Sequence, residues 1–124
     1  DTYGKERIHL AHRNGSFQEW FPNGDKVEKI TKDNYEIVMG NDRVYIMGKC
    51  FVTVQGDAEV YVKQNATIKV DKNVTATIGE NLSATVNKNA TLKVSGNFQA
   101  DIGGTCKITS GGNMTFKAPR IDLN

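Results

Sequence analysis

The sequence predicts an all-β fold, an intertwined homotrimeric triple-stranded β-helix (a three-sided prism) built on an eight-residue repeat. Three observations predict it. First, residues 40–119 divide into ten consecutive octads, from GNDRVYIM to GNMTFKAP, with no insertion or deletion breaking the phase. Such a period dictates architecture before any local propensity is weighed. Second, apolar residues hold position five of every octad and position seven of all but the ninth, which has Ser110, while positions four and six are mostly Thr, Lys, Glu, Tyr or Gln. Positions of one parity share a face of an extended chain, so each octad reads as a short strand, apolar on one side and polar on the other. Third, position one is Gly in six octads and Lys, Gln or Glu in the others, and position two is mainly Asn; Gly and Asn are suited to tight turns and to positive φ. A helix is excluded, since a period of eight puts no stripe on a helix of 3.6 residues per turn and the composition is rich in poor helix formers.

The trimer follows from how little each octad can bury. Two or three small apolar side chains per octad, several of them Ala, do not close a core within one chain. If each octad covers one side of a prism and the chain then passes to the next, three copies intertwine and their strands pair between chains, leaving few edges. At about 4.8 Å per layer, ten to eleven layers span roughly 50 Å.

Taken in order, residues 1–23 read as a β-meander leading into the repeat. Ile8 and Leu10 alternate with His9, Asn14-Gly15 is a strong hairpin signal, and Phe17, Trp20 and Phe21 precede a second turn at Pro22-Asn23-Gly24. Trp20 and Phe21 are expected over the open end of the prism or between chains. The chain opens on Asp1 and not on Met, which suggests a fragment or a processed product. Residues 24–39 are two degenerate octads in the same phase, with Ile30 and Val38 at position seven but Glu28 and Glu36 at position five; the prism is expected to begin here.

Within residues 40–119 the expected trimer core is Val44, Ile46, Val52, Val54, Val60, Val62, Ile68, Val70, Ile78, Val86, Leu92, Val94, Ile102 and Ile108, and the corner glycines are Gly48, Gly56, Gly96, Gly104 and Gly112. Tyr35, Tyr45, Phe51 and Tyr61 fall at outward positions, either as cross-strand packing or as a docking surface for another domain. Pro119 breaks the register, and residues 120–124 form the C-terminal tip, where Ile121 and Leu123 alternate once more.

Composition bounds the function. Hydrophobic content is 38% with 12 glycines, which suits a thin prism better than a globular core. The net charge of +2 comes from scattered charges of both signs, with no basic block for nucleic acid and no apolar run of membrane-spanning length. No signal peptide is visible, and the chain reads as soluble. Cys50 and Cys106 both hold position three, seven octads apart and beyond disulfide reach in one chain. Each reads as a small buried hydrophobe, the alternative being a threefold thiol cluster that holds a metal. Reduced thiols fit assembly in a cytoplasm.

Candidate chemistry is sparse. His9 and His12 have no carboxylate or cysteine constellation suited to a metal, so no metal site is expected. Asp57, Glu59, Asp71 and Asp101 occupy scattered corner or outward positions and read as solvated surface, not as an acid/base pair. A calcium-binding nonapeptide roll fails on period and on corner residue. No cofactor is expected, although inward polar residues such as Glu28, Glu36, Asp42 and Ser110 leave room for an ion or water on the threefold axis.

Position seven followed two residues later by Gly, as in Ile46-Met47-Gly48, Val54-Gln55-Gly56, Val94-Ser95-Gly96 and Ile102-Gly103-Gly104, resembles the repeat of contractile-tail central spikes. That family includes the cell-puncturing spikes of T4-like phage baseplates and the valine-glycine-repeat spikes of type VI secretion. The turns at His12-Arg13-Asn14-Gly15 and Pro22-Asn23-Gly24-Asp25 are similar to the stretch leading into such needles, and Ala118 to Leu123 is similar to their ends. The resemblance implies a homotrimeric needle at the tip of the contractile tail, part of the virion, assembled in the host bacterial cytoplasm and driven through the outer envelope on contraction. It implies transient contact with the outer membrane, with upstream OB-fold and muramidase domains and the baseplate hub at the N-terminal end. It also implies a small conical capping protein on Pro119, Arg120, Ile121, Asp122, Leu123 and Asn124. No His follows His12, so the chain departs from the smaller spikes that hold a metal through a His-x-His motif near the tip. The fragment is therefore expected to be structural and non-catalytic. The alternative is the trimeric stalk of a phage tail fibre or of a depolymerase acting on envelope polysaccharide.

Overall fold

The computed structural model describes residues 3–124; Asp1 and Thr2, the first residues of the expected 1–23 lead-in, lie outside the described residues. The described chain is all-β, with no helix. It divides into two units, residues 1–65 and 66–124.

The first unit holds the regular secondary structure. Three strands, β1 (Ile8–Ala11), β2 (Phe17–Trp20) and β3 (Lys26–Lys29), form an antiparallel sheet in the order β1-β2-β3. Register pairs Ile8 with Trp20 and Ala11 with Phe17, then Phe17 with Lys29 and Trp20 with Lys26.

The two connections are near copies, because HRNGS and FPNGD place Asn-Gly at the same point. In each, Gly donates its N–H to the carbonyl three residues back, at 3.0 Å from Gly15 to His12 and from Gly24 to Phe21. Gly15 and Gly24 sit at φ +96° and +94°, the left-handed residue that closes a three-residue hairpin loop. Asn14 and Asn23 each accept the N–H two residues on, from Ser16 and Asp25 respectively, both at 3.1 Å.

The meander therefore extends past residue 23: its third strand comes from the first degenerate octad. That octad has no apolar face in β3, where Lys26 and Glu28 fall on one side and Val27 and Lys29 on the other. Pairing to β2 holds it instead, with Gln18 Nε2 donating to Glu28 at 3.2 Å and Lys26 Nζ standing 5.3 Å from the Trp20 ring centroid. Thr31 then latches the end of the sheet. Its N–H donates to Ser16 Oγ at 3.1 Å, and the two hydroxyls lie 3.0 Å apart.

From that latch onward the chain changes character. Bends recur at residues 31–32, 39–40, 47–48, 55–56 and 63–64 in the first unit, each falling on octad positions eight and one. In the second unit they continue at 71–72, 79–80, 87–88, 95–96, 103–104 and 111–112. The segments between bends are extended but carry no ladder. Among the described residues, the backbone hydrogen bonds outside the sheet all lie in its two hairpin loops. The expected octad strands are thus extended segments without a strand partner in their own chain.

One expectation about the corners needs correction. Among the described residues no residue other than Gly has positive φ, and of the glycines only Gly4, Gly15 and Gly24 do. The corner glycines Gly48, Gly56, Gly96, Gly104 and Gly112 and the corner asparagines turn without positive φ. Left-handed backbone explains the Asn-Gly hairpin loops and does not explain the octad corners.

Candidate functional site

No hydrophobic residue of the described chain is buried, and the accessible surface is 14351 Å². A compact monomer of 13.7 kDa exposes about 6,600 Å². The difference is about 7,750 Å². The exposed surface includes the apolar side of the octads.

The fourteen expected core residues are all exposed within one chain, but octad positions five and seven differ. Position seven is half covered, from 44% exposed at Val94 to 58% at Val86, whereas position five stands open, reaching 91% at Ile68. Position seven immediately precedes the bend, so the turning chain shelters it. This accounts for a sequence detail: Val or Ile fills position seven in eight successive octads from Ile46 to Ile102, while position five accepts Ala at Ala76, Ala84 and Ala100. A branched side chain in the crook of a bend is confined by its own backbone; one in mid-segment is sized only by whatever packs on it.

The corner glycines lie at the bends, and a Cβ added to any of the five would meet nothing within 4 Å in its own chain. Cys50 and Cys106 are free thiols, both exposed in the single chain. At the C-terminal end Arg120 Nε pairs with Asp122 Oδ1 at 2.8 Å, leaving Ile121 and Leu123 uncovered.

The sheet carries a second cluster. Glu19 is the buried polar residue of the described chain, at 7% exposure, on the centre strand. Its Oε1 contacts Arg7 Nε and lies 3.5 Å from His9 Nδ1. His9 faces Glu19 across the β1-β2 register, and its ring stacks on Phe17, the diagonal neighbour, with centroids 5.7 Å apart. His12 sits outside β1, in the hairpin loop, where its Nδ1 accepts the Asn14 N–H at 3.3 Å. The two histidines therefore serve separate local contacts. On the other face an open groove of about 360 Å³ is lined by Leu10, Gln18, Glu28 and Ile30, with His12 and Ser16 at its end. Trp20 and Phe21 remain partly exposed.

Sequence reasoning missed the Glu19 cluster, although a signal was available. Counting outward from the Arg13-Asn14-Gly15 loop puts His9 opposite Glu19, with Arg7 on the same face. Removing Arg7 tests the cluster. Arg7→Ala leaves a carboxylate shielded from water without its cation and is expected to destabilise the sheet by about 1–3 kcal/mol, read as a lower thermal midpoint of the Trp20 fluorescence transition. Arg7→Lys, which keeps the charge, should recover part of the loss.

An all-β chain whose repetitive part exposes a periodic apolar side and pairs none of its own backbone leaves both without a partner inside the chain. The comparisons with known proteins specify the family. Residues 50–121 match the family model of the bacteriophage T4 gp5 C-terminal trimerisation domain, and the chain belongs to that family. Protein Gp5 of Vibrio phage KVP40 is 51% identical over 45 residues, which is 36% of this chain and 11% of that protein. The chain thus spans about a tenth of the length of this curated relative. These findings bear out the resemblance to T4-like contractile-tail spikes, and family membership supports a homotrimer.

Proposed function

We propose that the chain is the needle segment of a phage contractile-tail baseplate spike. Three copies wind into a triple-stranded β-helical prism that perforates the bacterial outer envelope when the tail contracts. The observation that carries this reading is the state of the chain beyond Thr31: a bend every eight residues, no backbone pairing and no buried side chain. Backbone N–H and C=O groups that become buried are paired in native proteins. Two further copies supply partners on both sides of every octad, and the same contact covers the apolar positions. Val44, Ile46 and their counterparts through Ile108 then form the core, with residues 24–39 leading in, residues 40–119 as the shaft and residues 120–124 as the tip.

The mechanics follow from that construction. A puncturing rod must resist bending and must not unwind during contraction. Each layer of the prism is held by strands of other chains above and below, so no single octad can peel away without breaking pairs to two neighbours. Such a rod is protected by a high barrier to unfolding more than by equilibrium stability. The work is mechanical and needs no catalytic group or cofactor; an ion or water on the axis beside Glu36 or Asp42 would be a structural filler.

The remaining assignments belong to the same proposal. The N-terminal end joins the upstream OB-fold and muramidase domains and the hub, the exposed Tyr35, Tyr45, Phe51 and Tyr61 offering an aromatic collar to an upstream domain. Pro119 to Asn124 of three chains form a blunt face that takes a conical cap. The complex assembles in the host cytoplasm and resides at the tail tip of the virion.

Light scattering tests the trimer directly. The expected molar mass is about 41 kDa, three times 13.7 kDa, and the species should persist in SDS without heating. A mass of one chain sinks the proposal.

A further inference from the structure

Five consecutive octads carry Asn at position two: Asn65, Asn73, Asn81, Asn89 and Asn97. Each directly follows a bend, at 63–64, 71–72, 79–80, 87–88 and 95–96 respectively. Asn holds a fixed place in a turn for one of two local reasons, tolerance of left-handed backbone or a side-chain hydrogen bond to the backbone nearby. The hairpin loops of the same chain contain such bonds: Asn14 and Asn23 each hold the N–H two residues on at 3.1 Å. None of the five corner asparagines has positive φ, and none makes a side-chain hydrogen bond within the described chain. Both local reasons fail at the corners.

The reason lies between chains. In a threefold prism that passes to a new side with every octad, each edge of the prism receives the corner of one chain, then of the next, then of the third, at successive layers about 4.8 Å apart. The five asparagines therefore stack without interruption on each of the three edges. A primary amide has two N–H donors and a carbonyl acceptor. Identical amides at strand spacing bond one to the next along the stack, as in the Asn ladders of stacked sheets. We infer that Asn65, Asn73, Asn81, Asn89 and Asn97 form three interchain amide ladders along the edges of the prism, each rung contributed by a different copy from the rungs above and below. The inference rests on the proposed trimer and specifies how its edges are joined.

The chemistry of the flanking positions marks where the ladder stops. Asp57 precedes the run and Thr105 follows it, and neither side chain can continue an amide stack as both donor and acceptor through one planar group. Asn113 stands alone beyond Thr105 and supplies a control of the same residue type at the same octad position.

The test uses the full 124-residue chain. The mass of the parent by light scattering comes first, and a single-chain mass overturns the trimer reading itself before any variant is compared. With a trimeric parent, the rate of trimer loss in guanidinium chloride is measured for Asn73→Ala/Asn81→Ala/Asn89→Ala and for Asn113→Ala. The ladder predicts loss at least tenfold faster for the triple variant and within twofold of the parent for Asn113→Ala. Rates within twofold of the parent for the triple variant overturn it. If the triple variant does not assemble, Asn81→Ala against Asn113→Ala gives the same contrast, and equal effects overturn the ladder. Asn81→Asp/Asn89→Asp adds a signature that a solvated corner cannot give. Carboxylates stacked from different chains repel when ionised, so this trimer should persist at least tenfold longer at pH 3.5 than at pH 7, relative to the parent at each pH. No difference from the parent overturns the ladder.

Discussion

Ile78→Asp is expected to abolish the trimer, and Thr77→Asp, one residue earlier, to leave it assembled. Both residues lie in the fifth octad, KNVTATIG, and both are exposed in the single chain. In one chain alone the two substitutions would be nearly equivalent, since an exposed side chain replaced by a charge changes stability by only a few tenths of a kcal/mol. Assembly separates them. In the proposed trimer Ile78, at position seven, faces the other two copies, so the substitution would place three carboxylates in one layer of a thin apolar core. Removing a charge from water without a partner costs several kcal/mol per ion, and the three also repel one another. Thr77 occupies position six on the outer side, where Lys69, Lys93 and Asp101 already stand at the equivalent place. Size exclusion with light scattering reads the outcome: a single-chain or aggregated species for Ile78→Asp and about 41 kDa, three times 13.7 kDa, for Thr77→Asp. Equal behaviour of the two would remove the inward assignment of position seven.

The contrast between neighbouring residues also shows which parts of this chain are readable from sequence. The octads are readable because one residue type recurs at one place: Val or Ile at position seven from Ile46 to Ile102 carries information no single window contains. The bends at octad positions eight and one mark the corners that Gly and Asn announce. The hairpin loops are readable because Asn14-Gly15 and Asn23-Gly24 have a conformational reason that is local and specific, and Gly15 and Gly24 show it in their φ.

The features that escape sequence reading are set by contacts that have no periodic trace. Strand β3 carries charges on both faces, so its sequence, KVEK, gives no apolar alternation; only pairing with Phe17–Trp20 makes it a strand. Glu19 resembles any surface glutamate until the hairpin places Arg7 and His9 over it. The corners are located by their residues but have a different cause. Gly and Asn suggest left-handed backbone, and the lack of positive φ there removes that explanation.

Deletion of one residue should be far more damaging than deletion of eight. Removing residues 72–79 takes out one octad and leaves every later residue in its old phase. Thr85 still faces outward, Val86 still precedes a bend, and the shaft loses one layer of about 4.8 Å. Such a chain is expected to remain an SDS-resistant trimer. Removing Thr77 alone is a smaller chemical change with a larger consequence. In a chain of period two, a slip of one residue turns every following side chain to the opposite face. Beyond the lesion Val86, Leu92, Val94 and Ile102 would be carried outward, and Thr85, Thr91, Lys93 and Asp101 inward, in all three copies. In the proposed prism the bends cannot absorb the slip cheaply, because a corner with one residue fewer would misalign with the corners stacked above and below it. The segment after residue 77 should then fail to assemble and become accessible to protease, while the sheet formed by residues 8–29 keeps its fold. Limited proteolysis followed by mass spectrometry distinguishes the two variants: intact trimer for the octad deletion, cleavage after the lesion for the single deletion. Tolerance of the single deletion, or unfolding caused by the octad deletion, would show that register is not held by the octads.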